Sequence, residues 1–201
     1  MTPTATSREK PPKGEATRAR ILVRAAAAFR GLGFHDATMR DIAAAAGTQV
    51  GNLYYHFPAG KSDLLYECQR TALKLLLDGA RRIAAGAGTA PAKLRALVAG
   101  HVRCLLVETG GSAAHLEFRA LPPSRRATVA RGRRAYETLV RRLVARGVEA
   151  GELRPVDAKL AALALLGALN GIVTWWRPEG DRSPEAIAAS YADTLVGGML
   201  P

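Results

Sequence analysis

Residues 38–57 read TMRDIAAAAGTQVGNLYYHF, and the rest of the chain is read outward from this stretch. Thr38 opens a helix, with Asp41 three residues on to complete a reciprocal cap. Ile42, Ala45 and Ala46 carry the apolar spacing, and Gly47 ends it with the positive φ that a helix C-terminus requires. A tight turn at Gly47-Thr48 leads to a second short helix, from about Gln49 to His56. Ala43, Ala45 and Ala46 are small enough to let the two backbones cross closely. The second helix is too short, and too polar on one side, to exist for core packing alone. Its outer side offers Gln49, Asn52, Tyr54 and His56, donors and acceptors suited to phosphates and base edges. This is the layout of a helix-turn-helix whose second helix enters the major groove. Leu53 and Phe57 face the core, and Tyr55 fits either the outer face or packing against the next helix.

Upstream, Ile21, Ala25, Ala28, Phe29 and Leu32 recur at helical spacing from about Glu15, and Gly31 and Gly33 punctuate the end. Residues 1–13 mix prolines with Arg8, Lys10 and Lys13 and read as a disordered basic arm, either a solvated tail or a weak tether to phosphates. Downstream, Pro58 and Gly60 precede a long helix from Lys61 that turns Leu64, Leu65, Cys68, Ala72, Leu75 and Leu76 inward. Breaks at Gly86–Pro91, Gly110-Gly111, Pro122-Pro123, Gly151 with Pro155, and Pro178 with Gly180 leave helices at about 91–109, 112–121, 123–150, 156–177 and 184–198. Ser183-Pro184 caps the last of them. No run alternates like a strand. The chain reads as all-α, with about nine helices: a head over 14–60 and a helical ligand-binding and dimerisation domain over 61–201.

Composition bounds the function classes. In 201 residues 48% are hydrophobic and 5% aromatic, a mix that favours helices and a real core. The formal charge of +12 suits a polyanionic partner, although arginine-rich composition also arises from genomic base bias. Cys68 and Cys104 have no metal-like spacing and read as reduced core residues of a cytoplasmic protein, which on DNA would be nucleoid-associated. No segment reads as an export signal or as long and apolar enough to span a bilayer, and no membrane partner is expected. The greasiest run, 160–173, fits a buried helix.

Residues 17–65 resemble the DNA-binding domain of the TetR family of bacterial repressors. The stretches that carry the resemblance are TRARILVRAAAAF, GF before HDATMRDIAAAAG, then GNLYYHF and KSDLL. One departure is three residues, Pro58 to Gly60, between the HF phenylalanine and Lys61, where the family often has two. The resemblance implies a three-helix head, a helical ligand domain, and a homodimer on palindromic double-stranded operator DNA. It places Thr38, Met39 and Arg40 against backbone or a base edge, Gln49, Val50, Gly51 and Asn52 in the groove, and Tyr54, His56 and Lys61 on phosphates. Gly51 has no side chain to read with, so Gln49, Val50 and Asn52 carry direct readout.

Beyond residue 66 the likeness is one of outline, with the late pattern WWRPEG, SPEAI and GGM. It implies a four-helix dimer interface from 156–177 and 184–198. Leu160, Leu163, Leu166, Leu169, Ile172, Val173 and Trp176 coat more of one helix than a monomer core needs, with Ile187, Tyr191, Leu195 and Val196 as a second stripe; a fully internal core helix is the alternative. Candidate ligand contacts are His101, Leu105, Glu108, Phe118, Asn170 and Trp175. A hydrogen-bonded core histidine competes for His101, and a buried polar group at the dimer interface for Asn170. The WWRPEG ending resembles regulators of lipid, steroid or acyl-CoA breakdown. Arg103, Arg119, Arg125 and Arg126 are either receivers for CoA phosphates or solvated surface.

The expected function is a ligand-responsive repressor released from its operator by a small hydrophobic or acyl-CoA-like effector. A ligandless architectural DNA binder would have a C-terminal domain packed solid. An enzyme using His101, Glu108, His115 or Glu117 is not expected: no nucleophile elbow, phosphate loop or HExxH is present, and His115 and Glu117, two apart, would point to different faces of a helix. No catalytic residue, metal site or cofactor is assigned.

Overall fold

A computed structural model describes residues 13–111 and 113–201. The arm expected over 1–13 lies outside them except for Lys13, which begins the first helix. Eight α-helices follow in order: α1 Lys13–Leu32, α2 Met39–Ala45, α3 Val50–His56, α4 Lys61–Ala85, α5 Ala90–Arg103, α6 Pro123–Glu149, α7 Ala158–Trp175 and α8 Pro184–Tyr191. A 3-10 helix over Ala114–Ala120 stands where an α-helix was expected, and there is no strand among the described residues. α5 ends earlier than its pattern suggested and continues as a π-turn, Cys104–Glu108. A second π-turn, Ala192–Val196, follows α8.

Two apolar cores organise these elements. The first holds Ile21, Ala25 and Phe29 of α1, Ile42, Ala43 and Ala46, Leu53 and Phe57, and Leu64, Leu65 and Cys68 of α4. Ala45 is exposed, because the helix crossing uses the arc of Ile42, Ala43 and Ala46 and Ala45 lies beside it. Leu32 is 51% exposed, since Gly33 with φ +82° turns the chain away after α1's last inward turn. The second core gathers Leu94, Leu97 and Val98 of α5, Tyr136, Val140 and Val144 of α6, and Leu165, Leu169 and Ile172 of α7. α4 belongs to both, through Leu64 and Leu65 at one end and Ala80 at the other. Both cysteines are buried and free, and burial pushes each thiol up to about 12.

α7 has two apolar faces. Leu165, Leu166, Leu169, Ile172, Val173 and Trp176 are buried within the chain's own core, while Leu160 (64% exposed) and Leu163 (45%) stand in solvent. The single stripe read from the sequence therefore divides: its larger part packs internally, as a core helix would. Ile187 and Val196 are likewise internal. By length and composition α7 is apolar enough to cross a membrane, contrary to the sequence reading, with a mean hydropathy of 1.5.

Candidate nucleic-acid interface and effector cavity

The helix-turn-helix is built by local chemistry first. Thr38 Oγ1 accepts from the Asp41 amide (3.2 Å) and donates to its carboxylate (2.6 Å), while Thr38 N donates to the same carboxylate at 2.9 Å. These bonds from Thr38 hold the Asp41 carboxyl below its usual range. Gly47, φ +59°, turns the chain into α3. Asp63, in the first turn of α4, accepts from Ala59 N and from Arg125 of α6, so it ties the loop before α4 to the helix and the head to the larger domain.

The outward residues are not quite those expected. Thr38, Arg40, Gln49, Gly51 and Tyr54 are exposed, and Val50 and His56 half-buried. Tyr55 is 81% exposed, which places it outside rather than against α4. Three expected contacts are engaged within the protein. Lys61 Nζ donates to the Phe34 and His35 carbonyls, both at 2.8 Å, and lies over the Phe34 ring. It clamps α4 to the α1–α2 connection instead of standing free for a phosphate. Met39 is half-buried beside Gly60, and Asn52 donates to Thr48 Oγ1 at 2.9 Å.

A cavity of about 760 Å³ opens between α4, α5 and α8. Leu75, Leu76, Ala80, Ile83 and Leu97 supply apolar walls, and Arg82, Arg95 and Arg103 stand on it as well. Both π-turns border it, through Cys104 and Glu108 and through Ala192. Arg103 pairs with Glu108 at 3.2 Å and Arg95 with Asp193 at 2.5 Å, so the charge of both guanidinium groups is already offset by a carboxylate. His101 is buried, its Nδ1 3.2 Å from the Tyr136 hydroxyl. Burial, and secondarily the His115 charge, pushes His101 down to about 3, and at neutral pH it is uncharged.

Of the six ligand candidates, His101 and Glu108 line this cavity. Leu105 packs in the core, Phe118 lies under Arg133, the Asn170 carbonyl meets His115 Nε2 at 3.1 Å, and Trp175 is 48% exposed. Among the four arginines only Arg103 lines the cavity; Arg125 is spent on Asp63. Arg82 and Arg95 were missed, because helical spacing does not reveal which face α8 will cover. The buried Gln69 was missed too. It donates to the Ala114 carbonyl at 2.8 Å and accepts from Arg133, which also donates to the His115 carbonyl at 2.5 Å. His115 and Glu117 point apart, Glu117 toward His35, and no metal-binding group of acids, histidines and cysteines occurs among the described residues.

A three-helix head with an outward-facing α3, joined by one long helix to a helical domain with a cavity, is the layout of a DNA-binding regulator. Residues 21–68 match the family described as bacterial regulatory proteins, tetR family, and residues 87–199 the tetracyclin repressor-like C-terminal domain. The chain belongs to the TetR family of transcriptional regulators. It is 29% identical over 185 residues to the HTH-type transcriptional repressor KstR2 of Rhodococcus jostii, covering 90% of each chain. The TetR family regulator PfmR of Thermus thermophilus superposes with a TM-score of 0.79 at 32% identity, over 89% of this chain and 97% of that one. AibR, solved with isovaleryl coenzyme A and operator DNA, superposes at 0.73 with 26% identity, over 92% and 98%. These relatives are regulators, not enzymes.

Proposed function

We propose that the chain is a cytoplasmic homodimeric repressor that leaves a palindromic operator when a hydrophobic acyl-CoA fills the cavity between α4, α5 and α8. The observation that carries the effector class is a largely apolar cavity of about 760 Å³ bordered by Arg82, Arg95 and Arg103. The last two are paired with carboxylates that a ligand phosphate would have to displace, and Glu108 and Glu185 are also on the lining. Such a lining suits an acyl chain joined to phosphates. AibR, similar over almost the whole chain, is a relative solved with a coenzyme A thioester.

On the DNA side, Thr38 and Arg40 would meet backbone or a base edge, Gln49 and Val50 would read the groove beside Gly51, and Tyr54, Tyr55 and His56 would hold phosphates. Met39, Asn52 and Lys61 would act through the head's geometry. Dimerisation would use the outer face of α7, where Leu160, Leu163, Ala164, Gly167, Gly171 and Thr174 recur at helical spacing. A Cβ on Gly167 or Gly171 would meet nothing within 4 Å, room in which a partner helix could approach closely. α8 would complete the bundle through its small outward residues, Ala186, Ala189 and Ser190.

The test is fluorescence anisotropy of the full chain on DNA from beside its own gene, with and without a panel of acyl-CoAs. Salt-sensitive binding to one palindrome, reversed by at least one thioester, is the expected result. Binding that no thioester reverses would reject the acyl-CoA effector, and absence of any specific site would reject the regulator reading.

A further inference from the structure

The walls of the effector cavity carry two glycines that the protein's own packing does not require. Glycine inside a helix is less favourable than alanine, because its backbone loses more freedom on folding. On α6 the reason for accepting it is visible. A Cβ at Gly132 would come within 3.1 Å of Leu73, and one at Gly147 within 2.6 Å of Leu153 and 2.8 Å of Ala90. At Gly79 of α4 and Gly100 of α5 a Cβ would meet nothing within 4 Å, and neither residue has a positive φ.

Both glycines lie on the cavity. The residues three and four positions to either side of Gly79 are Leu75, Leu76, Arg82 and Ile83, all of them on its lining. Around Gly100 the same positions hold Ala96, Leu97, Arg103 and Cys104, again all on the lining. Positions three and four apart share one helix face, so each glycine stands at the middle of the arc that its helix turns to the cavity. A Cβ at either would project into the cavity rather than against a neighbouring helix. The missing methyls therefore leave room on two walls of one cavity. A straight chain, one methylene wide, bends past a methyl and needs no clearance on both sides at once. A branched or cyclic body cannot bend and does need it.

We infer that Gly79 and Gly100 set the girth of this cavity and fit it to effectors whose bound part is branched or cyclic. This rests on the cavity being the effector site, but not on the effector being a CoA ester. Two carboxylates of equal carbon count, 1-adamantaneacetate and dodecanoate, differ in girth and isolate it. In equilibrium dialysis with the full chain, Gly79→Ala and Gly100→Ala each weaken adamantaneacetate about tenfold and dodecanoate less than about threefold. Each substitution also raises the thermal midpoint of the ligand-free chain by about 2 °C, since alanine is the better helix former and meets no clash. A structural need for glycine would lower it instead. A lowered midpoint at either position, equal losses for the two probes, or no loss for either overturns the inference. So does an absence of measurable adamantaneacetate binding to the wild-type chain. Dodecanoyl-CoA separates the two readings. If the glycine-dependent selectivity holds while dodecanoyl-CoA and adamantaneacetyl-CoA both fail to bind, the acyl-CoA effector fails and the girth assignment stands.

Discussion

Tyr55 and His101 stand at the two extremes of exposure, and their substitutions should act on different properties. Tyr55 is 81% exposed and contributes little to folding. Tyr55→Ala should leave the thermal midpoint within about 1 °C while weakening operator binding about tenfold, one lost phosphate or stacking contact. Circular dichroism melts and anisotropy titrations check the two halves separately. His101 is the reverse case, wholly inside. Its folded pKa of about 3 lies below the ordinary 6.5, so between these values the unfolded chain binds a proton that the folded chain refuses. Stability is therefore intact above pH 6.5 and declines as the pH falls toward 3, by roughly 2 kcal/mol on reaching pH 5. Urea titrations should show this acid limb, and His101→Gln should flatten it.

At the scale of elements, the head and the larger domain meet at a small set of joints. Arg30, in the last turns of α1, donates to the Gly110 carbonyl just past the π-turn that borders the cavity. The next residue, Gly111, has φ +71°, and a Cβ there would come within 2.7 Å of the Arg30 guanidinium and 2.9 Å of the Trp176 ring. Gly111→Ala should cost about 1–3 kcal/mol, and it should move the head relative to α4. Chemical denaturation measures the first, and a change in acyl-CoA-dependent operator release at unchanged acyl-CoA affinity measures the second. α4 shows how much was legible beforehand. Its start at Lys61 and its inward Leu64, Leu65 and Cys68 followed from spacing, whereas the destination of the Lys61 ammonium did not. Two carbonyls in the α1–α2 connection, far from Lys61 in the chain, have no signature in the residues around position 61.

For the whole molecule, the outer face of α7 is the feature a single chain leaves unresolved. Leu160 and Leu163 are exposed on a helix whose opposite face is fully packed. Leu163→Glu, at an exposed site of this chain, should leave its helicity unchanged and convert the dimer to monomers in light scattering. The loss of paired half-site binding should then lower operator affinity about a hundredfold or more. A dimer that persists with Leu163→Glu would place the interface elsewhere.

The order of helices, the reciprocal cap at Thr38 and Asp41, the turn at Gly47 and the family of the head were all set by neighbours within a few residues, and the sequence by itself determined them. Caps, glycine turns and 3.6-residue periodicity act over one or two turns of chain. Tertiary structure alone decided which half of the α7 stripe lies inside, that Tyr55 faces out, that Lys61 is a clamp, and that Arg82 and Arg95 join Arg103 on one cavity. Each of these depends on which distant helix covers which face, and periodicity marks a face as apolar without naming what covers it.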